Sequence, residues 1–157
     1  MQVITNAIAQ LRDAHLAASP TRRMKVAVVT SFPRDPGRPV GGVEAVSVNL
    51  VRALGEIPEL DVHVVTTDHA GLQVEESVWL GVTVHRLPHS GKQVLLDAIG
   101  PGRRVIREFL LKLAPDVIHA HDVYGLMVRD LPIPRVFTIH GFIHADTRLS
   151  GKRMATL

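Results

Sequence analysis

The sequence predicts an α/β fold: a Rossmann-like parallel sheet, strand order 3-2-1-4-5, with helices on both faces. Three observations predict it. Short apolar runs rich in Val, Ile and Ala recur along the chain, as central strands buried on both faces require. Segments with apolar residues at helical spacing separate several of them, which reads as repeated βαβ units. Crossovers of a single hand then make the sheet parallel.

Taken in order, Val3, Ile4, Ile8, Leu11 and His15 fall near one helical face, so the spacing predicts an amphipathic helix from Gln2 to Ala18, ended by Ser19-Pro20. Met24 to Thr30 is the first strand. Ser31 to Val40 carries Pro33, Pro36, Gly37 and Pro39 and reads as a long loop. Val43, Val46, Leu50, Val51 and Leu54 then predict a helix that faces the sheet on those residues, with Glu44, Asn49 and Arg52 outward and Gly55 as its C-terminal cap. Asp61 to Thr67 is the second strand, Asp68 to Val78 a polar connection, and Val82 to Leu87 the third strand, stopped by Pro88. Lys92 to Ile99 is a short helix, interrupted by Gly100-Pro101-Gly102. Arg103 to Leu113 follows as a helix with Val105, Ile106, Phe109, Leu110 and Leu113 inward. Its outward Arg103, Arg104, Arg107 and Lys112 read as a solvated face. Pro115 to Ala120 is the fourth strand, His121 to Asp130 a short helical or irregular piece, and Pro134 to Ile139 the fifth strand. The segment from Phe142 to Leu157 is short and polar.

Composition narrows the function classes. The 157 residues carry 46% hydrophobic and 21% charged side chains, enough for one domain with a real core. No cysteine is present, which removes disulfides and thiolate chemistry. The net charge of +3 suits an acidic ligand or an anionic membrane surface. It is too small to argue for nucleic acid, and aromatic residues make up only 4% of the chain. No apolar run reaches transmembrane length and the first residues lack a secretory pattern. A cytoplasmic protein, with peripheral contact at the membrane, is therefore expected.

In a sheet of this topology, ligands bind beyond the carboxyl ends of the strands, at the point where strand order reverses. Chemistry-bearing residues gather there. Gly41-Gly42-Val43-Glu44 follows the first strand, His119 and His121 close the fourth, and Thr138-Ile139-His140-Gly141 closes the fifth. The glycine pair is expected to turn the backbone through positive φ and to admit an anion to bare amides at a helix start. Its spacing is neither that of a dinucleotide-binding loop nor that of a P-loop. His119, His121 and Asp122 also resemble part of a zinc site, but the longer His-x-His-x-Asp-His run of a metallo-hydrolase is missing. His63, His69, His85, His89 and His144 form no usable pattern in the sequence.

The order and spacing of Met24-Lys-Val-Ala-Val-Val-Thr30, Gly41-Gly42-Val43-Glu44, Pro115-Asp-Val-Ile-His-Ala-His121 and Thr138-Ile-His-Gly141 resemble the N-terminal domain of family 4 glycosyltransferases. These are retaining enzymes of the GT-B fold, and the resemblance runs from about Met24 to Thr147. It implies the N-terminal, acceptor-side half of such an enzyme, transferring sugar from a nucleotide-sugar donor to a glycan or lipid acceptor. Gly41 and Gly42 would then place amides at the donor diphosphate. His140 would be the catalytic residue beside the transferred sugar. Glu44, His119, His121, Thr138 and Gly141 would line the cleft on the acceptor side. The family is usually metal-independent, so no cofactor or metal is expected.

The sequence also departs from the family. Glutamates stand at 44, 56, 59, 75, 76 and 108, and no two have the Glu-x7-Glu spacing of the donor domain. The reading is therefore a helical extension over residues 1–23 and an incomplete Rossmann-like domain over 24–157, inactive alone until a C-terminal donor domain completes it. Two alternatives remain at this point. One is a non-enzymatic module that pairs with a separately encoded donor domain or an acidic glycolipid. The other is a hydrolase with a metal on His119, His121 and His140.

Overall fold

The structure is a computed structural model; it describes residues 22–68, 73–88 and 100–141. Nine elements follow one another: β1 (Met24–Val29), α1 (Gly42–Gly55), β2 (Leu60–Asp68), β3 (Glu75–Trp79), β4 (Val82–Pro88), α2 (Pro101–Leu113), β5 (Val117–His121), α3 (Val123–Val128) and β6 (Arg135–Thr138). The strands form one sheet of order β3-β4-β2-β1-β5-β6. All pairings are parallel except β3 with β4. The expected order 3-2-1-4-5 is thus present as β4-β2-β1-β5-β6, with one strand added at the edge.

That added strand was expected to be a polar connection. β3 is exposed along nearly its whole length, with only Trp79 partly covered, so it shows no core-facing alternation in sequence. It folds back on β4 through Leu80 and Gly81, whose φ values of 49° and 80° are both left-handed. This is the geometry of a tight two-residue hairpin. Leu is an uncommon choice at the first corner, so the sequence carries no clear turn signal there.

The central strand β1 carries apolar residues on both faces. Ala27 and Val29 join Ile106, Leu110, Ile118 and Met127 under α2 and α3. Val26 and Val28 join Val48, Val51, Val64 and Val84 under α1. Two cores, one on each face, fix the helices where the βαβ reading puts them.

Helix details depart from expectation in three places. In α1 the buried residues are Ser47, Val48 and Val51, whereas Val46 is 45% exposed. The helix is rolled so that Ser47, a small polar residue, sits against Thr30 of the sheet at 2.6 Å between hydroxyl oxygens. Gly55 is the last residue of α1 and not its left-handed cap, since the cap is Glu56 in right-handed geometry. What Gly55 provides is proximity: a Cβ there would lie 2.9 Å from Val82 Cγ2. Finally, α2 starts at Pro101, a position in the first turn that proline tolerates. Its expected solvated face is partly engaged, because Arg103 and Arg107 both reach Asp130 beyond α3.

The expected helices Gln2 to Ala18 and Lys92 to Ile99, and the segment from Phe142, lie outside the described residues. No helix among the described residues is long and apolar enough to cross a membrane. Among these residues β6 pairs only with β5, and Val136, Phe137 and Ile139 are each at least half exposed.

Candidate functional site

At the carboxyl end of β1 the chain leaves the sheet through the Ser31–Val40 loop and enters α1. Two anchors hold that loop. Arg86, buried on β4, donates from Nη1 to the Phe32 carbonyl at 3.0 Å and from Nη2 to the Pro33 carbonyl at 2.7 Å. Arg34 pairs with Glu75 on β3 at 3.3 Å. Glu44, in the first turn of α1, turns its carboxylate back and accepts the Val40 N–H at 2.7 Å.

Gly41 is the N-terminal cap of α1, with φ −148° and ψ 170°. That is ordinary extended backbone, so the expected turn through positive φ does not occur. Packing does not require the glycines either, since a Cβ at Gly41 or Gly42 would meet nothing within 4 Å. No side chain caps the helix, so its first amides keep the donor capacity and partial positive charge of a helix start. The space left by the missing side chains opens into a cleft of about 560 Å³. Gly41, Gly42, Glu44, His121, Asp122 and Tyr124 are among its walls. Its volume is in the range of small-molecule sites. Inside, the Tyr124 and Thr67 hydroxyls bond at 2.9 Å.

Strand β5 runs through His121, so His119 and His121 share a face. Their rings meet edge to face at 4.6 Å, and His140 continues the column at 4.7 Å from His121. His119 Nε2 bonds the Thr138 hydroxyl at 2.8 Å. His121 is 1% exposed, and its Nε2 is buried with no hydrogen-bond partner.

The protons in this column can be counted. The Ser47 hydroxyl lies 2.7 Å from the Val43 carbonyl and must donate to it, because a carbonyl only accepts. Thr30 lies 2.6 Å from Ser47 and therefore donates to it. Thr30 then has only lone pairs for His121 Nδ1 at 3.1 Å, so Nδ1 carries a proton. His140 Nε2, also 3.1 Å from that Nδ1, accepts. In the neutral rings the second proton of this set sits on His140 Nδ1, and His121 Nε2 is a bare lone pair.

The surroundings disfavour charge on His121 and His119. Burial, the neighbouring His119 and then His140 lower the pKa of His121 to about 4, against a smaller opposing pull from Asp122. His119 is lowered as well, by burial and then by His140.

Asp122 joins the two strand ends. Its backbone N–H donates to the Thr138 carbonyl at 2.9 Å. Its carboxylate Oδ1 accepts the His140 N–H at 2.8 Å. It does so at φ 47° and ψ −125°, a left-handed conformation for a residue other than glycine.

Of the residues expected from sequence, Gly41, Gly42, Glu44 and His121 line the cleft. His140 touches it through His121, while His119 and Thr138 stand behind. Gly141 is not among the lining residues. Among the described residues no three His, Asp or Glu side chains are grouped to hold a metal ion. Sequence reading missed Thr30, Ser47, Thr67 and Tyr124, and offered Asp122 only as part of a zinc site. A serine inside an apolar helix face and a threonine ending an apolar strand were the available signals.

A second histidine pair was also unread. On the α2 face, His63 Nδ1 lies 2.9 Å from His85 Nε2, the rings are stacked at 5.2 Å, and Glu76 Oε1 lies 2.9 Å from His85 Nδ1. Burial lowers the His85 pKa although Glu76 pulls it upward.

Comparison with known proteins now bears on this arrangement. The model of Glycosyltransferase Family 4 matches residues 40–156, which include the Gly41-Gly42 turn, β5 and the Thr138–Gly141 segment. No curated protein matches. Among solved structures, sucrose-phosphate synthase from Thermosynechococcus elongatus superposes with a TM-score of 0.58 at 17% identity, over 80% of this chain and 35% of that one. A structure described as trehalose-6-phosphate from E. coli bound with UDP-2-fluoro glucose gives 0.45 at 14% identity, over 82% of this chain and 38% of that one. The chain therefore spans little more than a third of either, and the first likeness establishes the fold. Since the family match takes in most of the sequence and every element around the cleft from α1 to β6, the chain belongs to glycosyltransferase family 4.

Proposed function

We propose that this chain forms the acceptor-side wall of a retaining sugar transferase, which moves a sugar from a nucleotide-sugar donor to a glycan or lipid acceptor. One observation carries the reading: an uncapped helix start whose two glycines leave open space in a cleft, with no conformational or packing need for glycine. Amides so exposed suit a diphosphate, on which negative charge grows as the sugar–phosphate bond breaks. Donors fixed in place there stabilise the transition state by about 3 kcal/mol each in comparable sites. They neutralise the leaving group without a metal. His140 stands beside the transferred sugar as the catalytic residue. Glu44 and His121 shape the acceptor side, with His119 and Thr138 supporting His121 from behind. The donor wall belongs to a second Rossmann-like domain, because this sequence holds no Glu-x7-Glu pair.

The test separates binding from folding. Gly42→Ala adds one methyl group where nothing is touched. It should leave the urea midpoint unchanged and weaken UDP binding by about tenfold or more, as a displaced charge-assisted hydrogen bond implies. Equal UDP affinity in both proteins would overturn the phosphate assignment. Sustained nucleotide-sugar turnover by this chain alone would overturn the need for a second wall.

A further inference from the structure

We propose that Asp122 is the positioning residue that holds His140 against His121. The proposal rests on the transferase reading for the importance of His140, but its geometry stands by itself. β5 and β6 end side by side, and past Thr138 the chain has no further ladder partner in β5. Asp122 bridges that gap twice. Its N–H takes the Thr138 carbonyl at 2.9 Å, and its carboxylate takes the His140 N–H at 2.8 Å. The backbone atoms on either side of Ile139 are thereby fixed to one residue. With the backbone fixed, the His140 ring arrives with Nε2 at 3.1 Å from His121 Nδ1.

The residue type supports a positioning role. At φ 47° and ψ −125°, glycine would sit without strain. Glycine would also keep the N–H bond to Thr138. What it lacks is the carboxylate, so the side chain is the reason for a non-glycine residue here. A short side chain is needed, because Oδ1 must reach the main chain eighteen residues on while the backbone of Asp122 itself starts α3. The contact is also oriented: the carboxylate holds the main chain of His140 and leaves its ring Nε2 to His121.

The test reads imidazole tautomers in the free chain by long-range proton–nitrogen NMR. In the wild type, His121 should show a protonated Nδ1 and His140 a protonated Nδ1 with bare Nε2. Asp122→Ala removes the acceptor, and His140 should then average between tautomers. Asp122→Asn keeps an oxygen for the same N–H and should restore the wild-type pattern. Asp122→Gly relieves the backbone without restoring the acceptor, so it should behave as Asp122→Ala does even if the alanine variant folds poorly. Wild-type His140 signals in the alanine or glycine variant would overturn the proposal. In an assembly that turns over, Asp122→Ala should lower kcat by about 100-fold with little change in acceptor KM, the usual cost of a misplaced group. Normal kcat there would also overturn it. Absence of turnover in every assembly would count against the transferase reading and leave the tautomer result intact.

Discussion

A buried imidazole between two others is a poor place for a proton, and His121 occupies that place. Its folded pKa of about 4 lies below the ordinary value of 6.5. The unfolded chain therefore binds more protons between those values, and stability falls as pH drops through that window. His121 contributes fully above about pH 6.5 and loses its contribution by about pH 4, a difference of about 3 kcal/mol. His119 and His85, both lowered by burial, act in the same direction. Urea midpoints should accordingly fall between pH 7 and pH 4.5, and His121→Gln should flatten much of the slope. An unchanged slope in that variant would assign the pH dependence elsewhere. Gly125 gives a contrasting single-residue case. A Cβ there would lie 2.2 Å from Phe137 Cε2. Gly125→Ala should cost about 1–3 kcal/mol as Phe137 is displaced from α3, measurable by thermal unfolding.

At the scale of elements, the Ser31–Val40 loop shows how a wall is built without regular structure. Arg86 reaches across from β4 to two loop carbonyls. Replacing it by methionine keeps the bulk and removes the donors, leaving buried carbonyls short of partners. The expected loss is about 2–4 kcal/mol, together with faster proteolysis within residues 31–40. Proteolysis at the wild-type rate would show that other contacts hold the loop. The same scale shows what the sequence could disclose. β1, β2, β4, β5 and β6 were legible because each joins an apolar run to a turn or proline. α2 was legible because Ile106 and Leu110 repeat at helical spacing on a helix with a polar far side. α1 was misread in its rotation, because Ser47 is buried through a hydroxyl chain that a hydrophobicity pattern cannot register. β3 was invisible because an exposed edge strand carries no core-facing period. The histidine column was legible as three residues at strand ends. Its proton order was not, since that depends on Thr30 and Ser47, which are distant in sequence and adjacent only across β1 and α1.

For the molecule as a whole, the two edges of the sheet differ. On the β3 side Glu75 and Glu76 project from the last strand and pair with Arg34 and His85, the kind of charge that blunts edge-to-edge pairing. On the β6 side Val136, Phe137 and Ile139 are exposed, and among the described residues of that strand the one charge, Arg135, turns back to the Leu131 carbonyl. Self-association through β6 is the expected behaviour, visible as a mass above the monomer by light scattering. Val136→Lys should return it to monomer. A wild-type monomer at high concentration would show that this edge is protected.

The empty space at Gly42 has a practical consequence. The chain contains no cysteine, and a Cβ at position 42 would meet nothing within 4 Å. Gly42→Cys therefore creates a single thiol at the mouth of the cleft, on a helix start that lowers thiol pKa and speeds alkylation. Its reaction rate becomes a gauge of occupancy. Any ligand that settles on those amides should slow labelling in proportion to the fraction bound, so the cleft can be screened against candidate sugars and nucleotides before a turnover assay exists.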